Sequence, residues 1–95
     1  MSNEYSEKIA NCFRNKPVKR AFLFGSAARG EDDELSDVDI LVELDYSQPI
    51  GLGFVRMKLE LEDLLKRKVD ILTSNSVSKY IRPFIDSEKI LIYEK

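Results

Sequence analysis

The segment Asp37-Val38-Asp39-Ile40-Leu41-Val42-Glu43-Leu44 alternates in character with a period of two, and no other segment constrains the fold as strongly. Successive strand side chains leave opposite faces, so Val38, Ile40, Val42 and Leu44 share one face and Asp37, Asp39, Leu41 and Glu43 the other. Aspartate is disfavoured in strands, so two on one face of a buried-looking strand need a reason. Strand residues two apart have Cα atoms about 6.6 Å apart, close enough for their carboxylates to converge on one point. Two like charges at about 4 Å repel by about 1 kcal/mol in water and about 4 kcal/mol at an effective dielectric near 20. A divalent cation removes that penalty, and all-oxygen ligation suits Mg²⁺ or Mn²⁺. The same pair also arises where Asp37 caps a turn and Asp39 faces solvent at a strand end.

Composition narrows the chemistry available to these acids. The chain has 95 residues, 15 Lys+Arg against 17 Asp+Glu, no His and one Cys. That length fits one small domain spanning residues 1–95. Without His there is no imidazole base, and the isolated Cys12 removes the common zinc constellations. A lone cysteine closes no internal disulfide, which points to a reducing cytoplasm. No run approaches the ~18 apolar residues of a membrane span, and the N-terminus lacks a signal pattern, so membrane insertion and export are not expected. The formal charge of −2 argues against a surface built for phosphate backbones. Carboxylates remain as the catalytic material.

The rest of the chain reads as one unit of alternating helices and strands. Tyr5, Ile9, Cys12 and Phe13 form one stripe of a helix over 4–15, which Pro17 ends. Val18 to Phe24 is an apolar strand running into Gly25, and residues 25–37 form a turn, with room for a short helix, and then a loop. After a loop from Tyr46 to Gly53, Phe54, Met57, Leu61, Leu64 and Leu65 repeat with helical spacing up to Lys66. Glu62–Lys66 and Asp63–Arg67 add acid-before-base pairs on that helix. Lys68 to Leu72 is a third strand and Ile90 to Tyr93 a fourth. Between them Val77, Tyr80, Ile81, Phe84 and Ile85 are spaced as a helix, with Pro83 starting a second short helix or kinking the first. Tyr80, Phe84 and Tyr93 are candidate contacts for a partner, but that spacing favours their assignment to core packing. The expected class is α/β (α+β), with a sheet of about four strands.

Two further features bear on function. Gly25-Ser26-Ala27-Ala28-Arg29-Gly30 directly follows a strand, where Gly25 permits positive φ and close approach of the backbone. Small residues at 26–28 leave amides and a hydroxyl to face phosphate oxygens, and Arg29 offers a charge-assisted contact. An ordinary strand-to-helix turn with a surface arginine has the same composition. Asp70 shares a strand face with Leu72, while Val69 and Ile71 point the other way. Beside the Val38–Leu44 strand, Asp70 would join Asp37 and Asp39 as a third metal ligand, or accept the proton of an attacking hydroxyl; at an edge it would simply be solvated. The run Glu31-Asp32-Asp33-Glu34 has no apolar register and reads as a solvated segment.

Taken in order, a strand, a Gly-Ser turn, Asp-Val-Asp on a strand, a helix and a strand Asp resemble the nucleotidyltransferase superfamily of DNA polymerase β. The likeness is closest to minimal MNT-type domains, whose pattern reads G-S-x-A-R-G and then S-D-x-D. Here those positions are Gly25, Ser26, Ala28, Arg29, Gly30, Ser36, Asp37 and Asp39, and the likeness covers nearly the whole chain. The resemblance implies a mixed sheet flanked by helices, with Asp37 and Asp39 binding two Mg²⁺ ions expected roughly 3.5–4 Å apart. One ion would activate the acceptor hydroxyl and the other would orient the triphosphate. Gly25 and Ser26 would hold ATP, and Asp70 matches the family's third carboxylate, which deprotonates the hydroxyl. Arg29 stands in the family position without an assigned task.

The acceptor is the open choice, because this fold serves many substrates. Near-neutral charge and the acids near the site disfavour a polynucleotide. Minimal members are typically encoded beside a HEPN-domain protein, as antitoxin of a toxin–antitoxin pair, which implies AMP transfer to a hydroxyl, usually tyrosine, on the toxin. One alternative is a binding module that neutralises its partner by occlusion, which needs about 800 Å² of surface. Another is transfer to a small molecule such as an aminoglycoside, for which so short a chain would have to form a homo-oligomer.

Overall fold

The apolar face of the 38–44 strand is roofed by two helices, whereas a single short helix covers only part of its opposite face. The computed structural model describes residues 3–25, 28, 37–47 and 50–95. The elements run α1 (Asn3–Phe13), β1 (Val18–Phe24), β2 (Val38–Leu44), α2 (Gly53–Leu65), β3 (Val69–Thr73), α3 (Arg82–Glu88) and β4 (Ile90–Glu94). The strands form one mixed sheet in the order β3-β2-β1-β4. β1 runs antiparallel to both β2 and β4, and β2 runs parallel to β3. Parallel neighbours need a crossover, and α2 supplies it. This is the mixed, helix-flanked sheet expected from the sequence, with β3 displaced by one residue.

The main core lies between the sheet and the pair α1 and α2. Val38, Ile40, Val42 and Leu44 meet Val18, Ala21 and Leu23 of β1 and Val69 of β3. Ile9 and Phe13 come down from α1, Met57 and Leu61 from α2, each fully buried. On α2 the buried positions Met57, Leu61 and Leu65 are four apart and so lie on one side of the helix. Burying a side chain of this size contributes about 1.5–3 kcal/mol, so these four anchor both helices. A register shift between Val18 and Arg20 inserts one residue into β1 and returns Ala21 to the core face. α1 stops ahead of Pro17, where the Lys16 amide donates to the Phe13 carbonyl at 3.0 Å. The Tyr5 side chain lies outside the described residues.

On the opposite face Phe22, Leu41 and Ile85 form a smaller cluster, joined by Phe24 and Val77. Here the structure departs from the sequence expectation. Residues 77–81 are a bend and a turn, and α3 begins at Arg82 with Pro83 in its first turn, where a missing N–H costs no hydrogen bond. So short a helix buries a single residue, Ile85. Tyr80 and Phe84 are 76% and 73% exposed, which overturns their assignment to the core. Tyr93 does pack inward, with its ring 6.0 Å from that of Phe13. Leu64 is also exposed. The expected ion pairs on α2 change partners because the helix ends at Leu65 and Lys66 takes a left-handed conformation. Lys66 reaches back to Asp63 at 3.3 Å, and Glu62 instead accepts the Val69 amide at 3.1 Å. Among the described residues no helix is long and apolar enough to cross a membrane.

Candidate functional site

The end of β1 and the beginnings of β2 and β3 meet at one corner of the sheet. In register, Phe24 faces Asp39 across the antiparallel pair, and Asp39 faces Asp70 across the parallel pair. Adjacent strands lie about 4.8 Å apart, so Asp39 and Asp70 stand side by side on the face turned away from α1 and α2. Asp37, immediately before β2, leaves that face one pleat earlier, with its Cα about 6.6 Å from that of Asp39. Asp37 and Asp39 are half-buried and Asp70 is exposed. The valines between them fix this arrangement. Val38 and Val69 are paired in register and 1% and 0% exposed. A one-residue slip of the 37–44 segment would drive both aspartates into the apolar core.

Gly25 closes the corner. Its φ is +74°, a left-handed value that disfavours any residue with a Cβ. It also packs directly on the acid strand: a Cβ there would overlap Oδ2 of Asp39 and stand 3.2 Å from its Cγ. The Gly25 carbonyl accepts the Ala28 amide at 3.1 Å, and the Gly25 amide donates to Oε1 of Glu88 at 3.0 Å. The Ala28 amide, expected to face phosphate oxygens, is therefore engaged within the turn. Ser26 and Arg29, with Gly30, Ser36 and the acidic run 31–34, lie outside the described residues.

Among the described residues no three acidic or thiol side chains are gathered closely enough to hold a metal ion by protein ligands alone. The donor chemistry at the corner nevertheless fits a hard cation. Asp37 and Asp39 offer carboxylate oxygens from one face, and Mg²⁺ is usually held by one or two carboxylates together with substrate phosphates. Asp70 stands beside Asp39 without completing a closed set of three.

Glu88 is the residue at this corner that sequence reasoning missed. It follows no motif, and its contact with Gly25 spans 63 positions. Elsewhere, a cleft of about 370 Å³ between α1 and α2 includes Lys8, Cys12 and Glu60 in its lining, in the helical layer opposite the aspartates. Burial pushes the Cys12 thiol up to about 11, aided by the Glu60 carboxylate that accepts its S–H at 3.5 Å. Glu60 itself is held below the usual carboxylate range by Lys16, 2.9 Å away. A thiol so protonated is no nucleophile near neutral pH.

Comparison with known proteins decides the family. The family described as "Polymerase beta, Nucleotidyltransferase" matches residues 7–95. The chain belongs to that family. Membership in the polymerase beta nucleotidyltransferases carries a nucleotide substrate and, typically, a divalent metal. One relative, a Methanocaldococcus jannaschii protein provisionally named protein adenylyltransferase MJ0435, is 43% identical over 88 residues, covering 93% of this chain and 94% of its own. A solved structure provisionally described as a minimal nucleotidyltransferase is 33% identical, with a TM-score of 0.79 and 95% of each chain covered. The fold also recurs in a structure of tri-AMPylated Shewanella oneidensis HEPN toxin with MNT antitoxin. There the TM-score is 0.74 at 18% identity, covering 100% of this chain and 74% of that one.

Proposed function

We propose that this polymerase beta nucleotidyltransferase moves AMP from ATP to a hydroxyl of a partner protein, a HEPN-domain toxin, and thereby serves as its antitoxin. The observation that carries the reading is the contact between Gly25 and Asp39, which ties the Gly-Ser turn to the acid strand with no space for a side chain between them. A triphosphate on the turn then lies beside the carboxylates that would hold the cations its charge requires. The 43% identical relative, named for protein adenylylation, supports a protein acceptor. The fold shared with an antitoxin beside an AMPylated HEPN toxin is consistent with that partner.

On this reading residues 1–95 act as a minimal catalytic domain. Asp37 and Asp39 hold divalent cations, two Mg²⁺ or Mn²⁺ ions, that neutralise charge on the triphosphate and favour ionisation of the acceptor hydroxyl. Asp70, exposed beside Asp39, accepts the proton of the attacking hydroxyl. Gly25 and Ser26 bind the triphosphate, and Arg29 supplies a charged contact to it. The new bond joins the acceptor oxygen to the α-phosphorus, and pyrophosphate leaves. ATP as donor and the free thiol of Cys12 support a cytoplasmic setting.

The test uses ATP labelled at either the α- or the γ-phosphate, Mg²⁺ and a HEPN-domain protein as the candidate partner. Nucleotidyl transfer puts α-label but no γ-label on the partner, and none when Asp37→Asn and Asp39→Asn are combined. γ-Label on the partner would indicate phosphoryl transfer and refute the reading. A second reading draws on the exposed Tyr80, Ile81 and Phe84. Such a patch suits neutralisation by occlusion, and unlabelled but neutralised partner would support it.

A further inference from the structure

Glu88 ends α3, and two anchors decide where its carboxylate goes. Ile85, 3% exposed, is buried against Phe22 and Leu41. One residue beyond Glu88, the Lys89 ammonium lies 4.5 Å from the Phe22 ring centre and pairs with Asp86 at 2.9 Å. The Lys89 amide closes the helix on the Ile85 carbonyl at 2.8 Å, so the backbone on both sides of Glu88 is fixed. From there Oε1 accepts the Gly25 amide at 3.0 Å. On the other side of the same glycine, the Asp39 carboxylate occupies the space where a Cβ would stand. Gly25 is therefore held between two acids, one accepting its N–H and one packed against its Cα. Glycine is the residue with most backbone freedom, and its left-handed conformation persists here because it is held from outside.

We infer that Glu88 is a positioning residue for nucleotide binding. It acts through Gly25 and does not itself touch the nucleotide. A charge-assisted hydrogen bond from the end of α3 holds Gly25 in its left-handed shape, which places the start of the turn beside Asp39. The inference rests on the proposed nucleotidyl transfer, and it makes the C-terminal helix a structural part of the phosphate site.

The experiment compares Glu88→Ala, Glu88→Gln and Glu88→Asp by two readouts. The first is amide hydrogen exchange at Gly25 by NMR; the second is the dissociation constant for ATP with Mg²⁺, followed by KM and kcat in the transfer reaction. Removing the acceptor in Glu88→Ala speeds Gly25 exchange and weakens ATP binding, each by about tenfold, as expected for loss of a charged hydrogen bond. KM for ATP rises with it, while kcat at saturating ATP is largely retained. Glu88→Gln, which keeps an oxygen acceptor of the same reach without the charge, recovers part of both losses. Glu88→Asp, which keeps the charge but is one methylene shorter, behaves as Glu88→Ala and stands in for it if the alanine variant fails to fold. Unchanged Gly25 exchange overturns the inference, as does wild-type ATP affinity in the alanine variant. Equal damage from Gln and Ala overturns it too, since accepting the Gly25 amide would then not be what matters. A wild-type protein that binds no ATP with Mg²⁺ refutes the nucleotidyl-transfer reading as well, whereas variants matching a wild type that binds refute only the role of Glu88.

Discussion

Replacing Gly25 by alanine separates stability from catalysis at the corner of the sheet. Two penalties meet there. The first is conformational: at φ +74° an L-residue costs roughly 1–2 kcal/mol relative to glycine. The second is steric, because the new Cβ overlaps Oδ2 of Asp39. That atom is the tip of a side chain, so the carboxylate swings aside more cheaply than the backbone moves. The stability loss therefore stays near the conformational term, about 1–2 kcal/mol. For a domain of this length that is a fall in Tm of about 5–15 °C in a calorimetric or fluorescence melt. Activity loses more, because a displacement of about 1 Å at a reacting centre costs on the order of 10²-fold. AMP transfer by Gly25→Ala should fall at least that far at a temperature where the variant is still folded. Wild-type Tm together with wild-type transfer would refute the contact between Gly25 and Asp39. Loss of activity strictly proportional to loss of folded protein would refute the catalytic part of the argument.

Three further outcomes follow from other parts of the molecule. Lys66 ends α2 at φ 56°, ψ 36°, so Lys66→Gly relieves about 1 kcal/mol of backbone cost. The lost Lys66–Asp63 pair is exposed on both sides and contributes at most about 0.5 kcal/mol, so the variant should be more stable in urea, and a lower midpoint would contradict this. The Asp45 carboxyl is held down at about 2, against an ordinary 3.8, chiefly by the Ser47 hydroxyl at 2.6 Å and amide at 3.1 Å, with Lys95 at 3.3 Å. Its stabilisation is present above pH ~4 and lost as pH falls through about 2, so Asp45→Asn should flatten the fall in Tm over that window. Two parallel acid titrations would refute that assignment. Cys12, pushed up to about 11, should react with iodoacetamide at pH 7.5 far more slowly than in the urea-unfolded chain, and equal rates would contradict its burial.

What could be read from the sequence was whatever a single buried face imposes. The alternation at 38–44 works because Val38, Ile40 and Val42 must all enter one core, and that requirement turns Asp37 and Asp39 outward together. Met57 and Leu61 locate α2 by the same logic at a helical period. Neighbouring strands were harder. Nothing local to Val69-Asp70-Ile71 announces that it pairs with β2 in parallel; the burial of Val69 beside Val38 makes that choice. The α3 region misled because Val77, Tyr80, Phe84 and Ile85 keep one helical period across irregular residues 77–81 and a short α3 that buries Ile85, leaving the two aromatics exposed. The Gly25–Asp39 and Gly25–Glu88 contacts join residues 14 and 63 positions apart, and only the assembled sheet brings them together.

If the carboxylate corner transfers AMP to a partner, the partner gains mass. Intact-mass spectrometry of the HEPN partner after incubation with this protein, ATP and Mg²⁺ tests it most directly. The expected result is a mass increase by whole AMP units with the wild type and none with Asp39→Asn. An unmodified partner beside a wild type that binds ATP, or equal modification by Asp39→Asn, would contradict it.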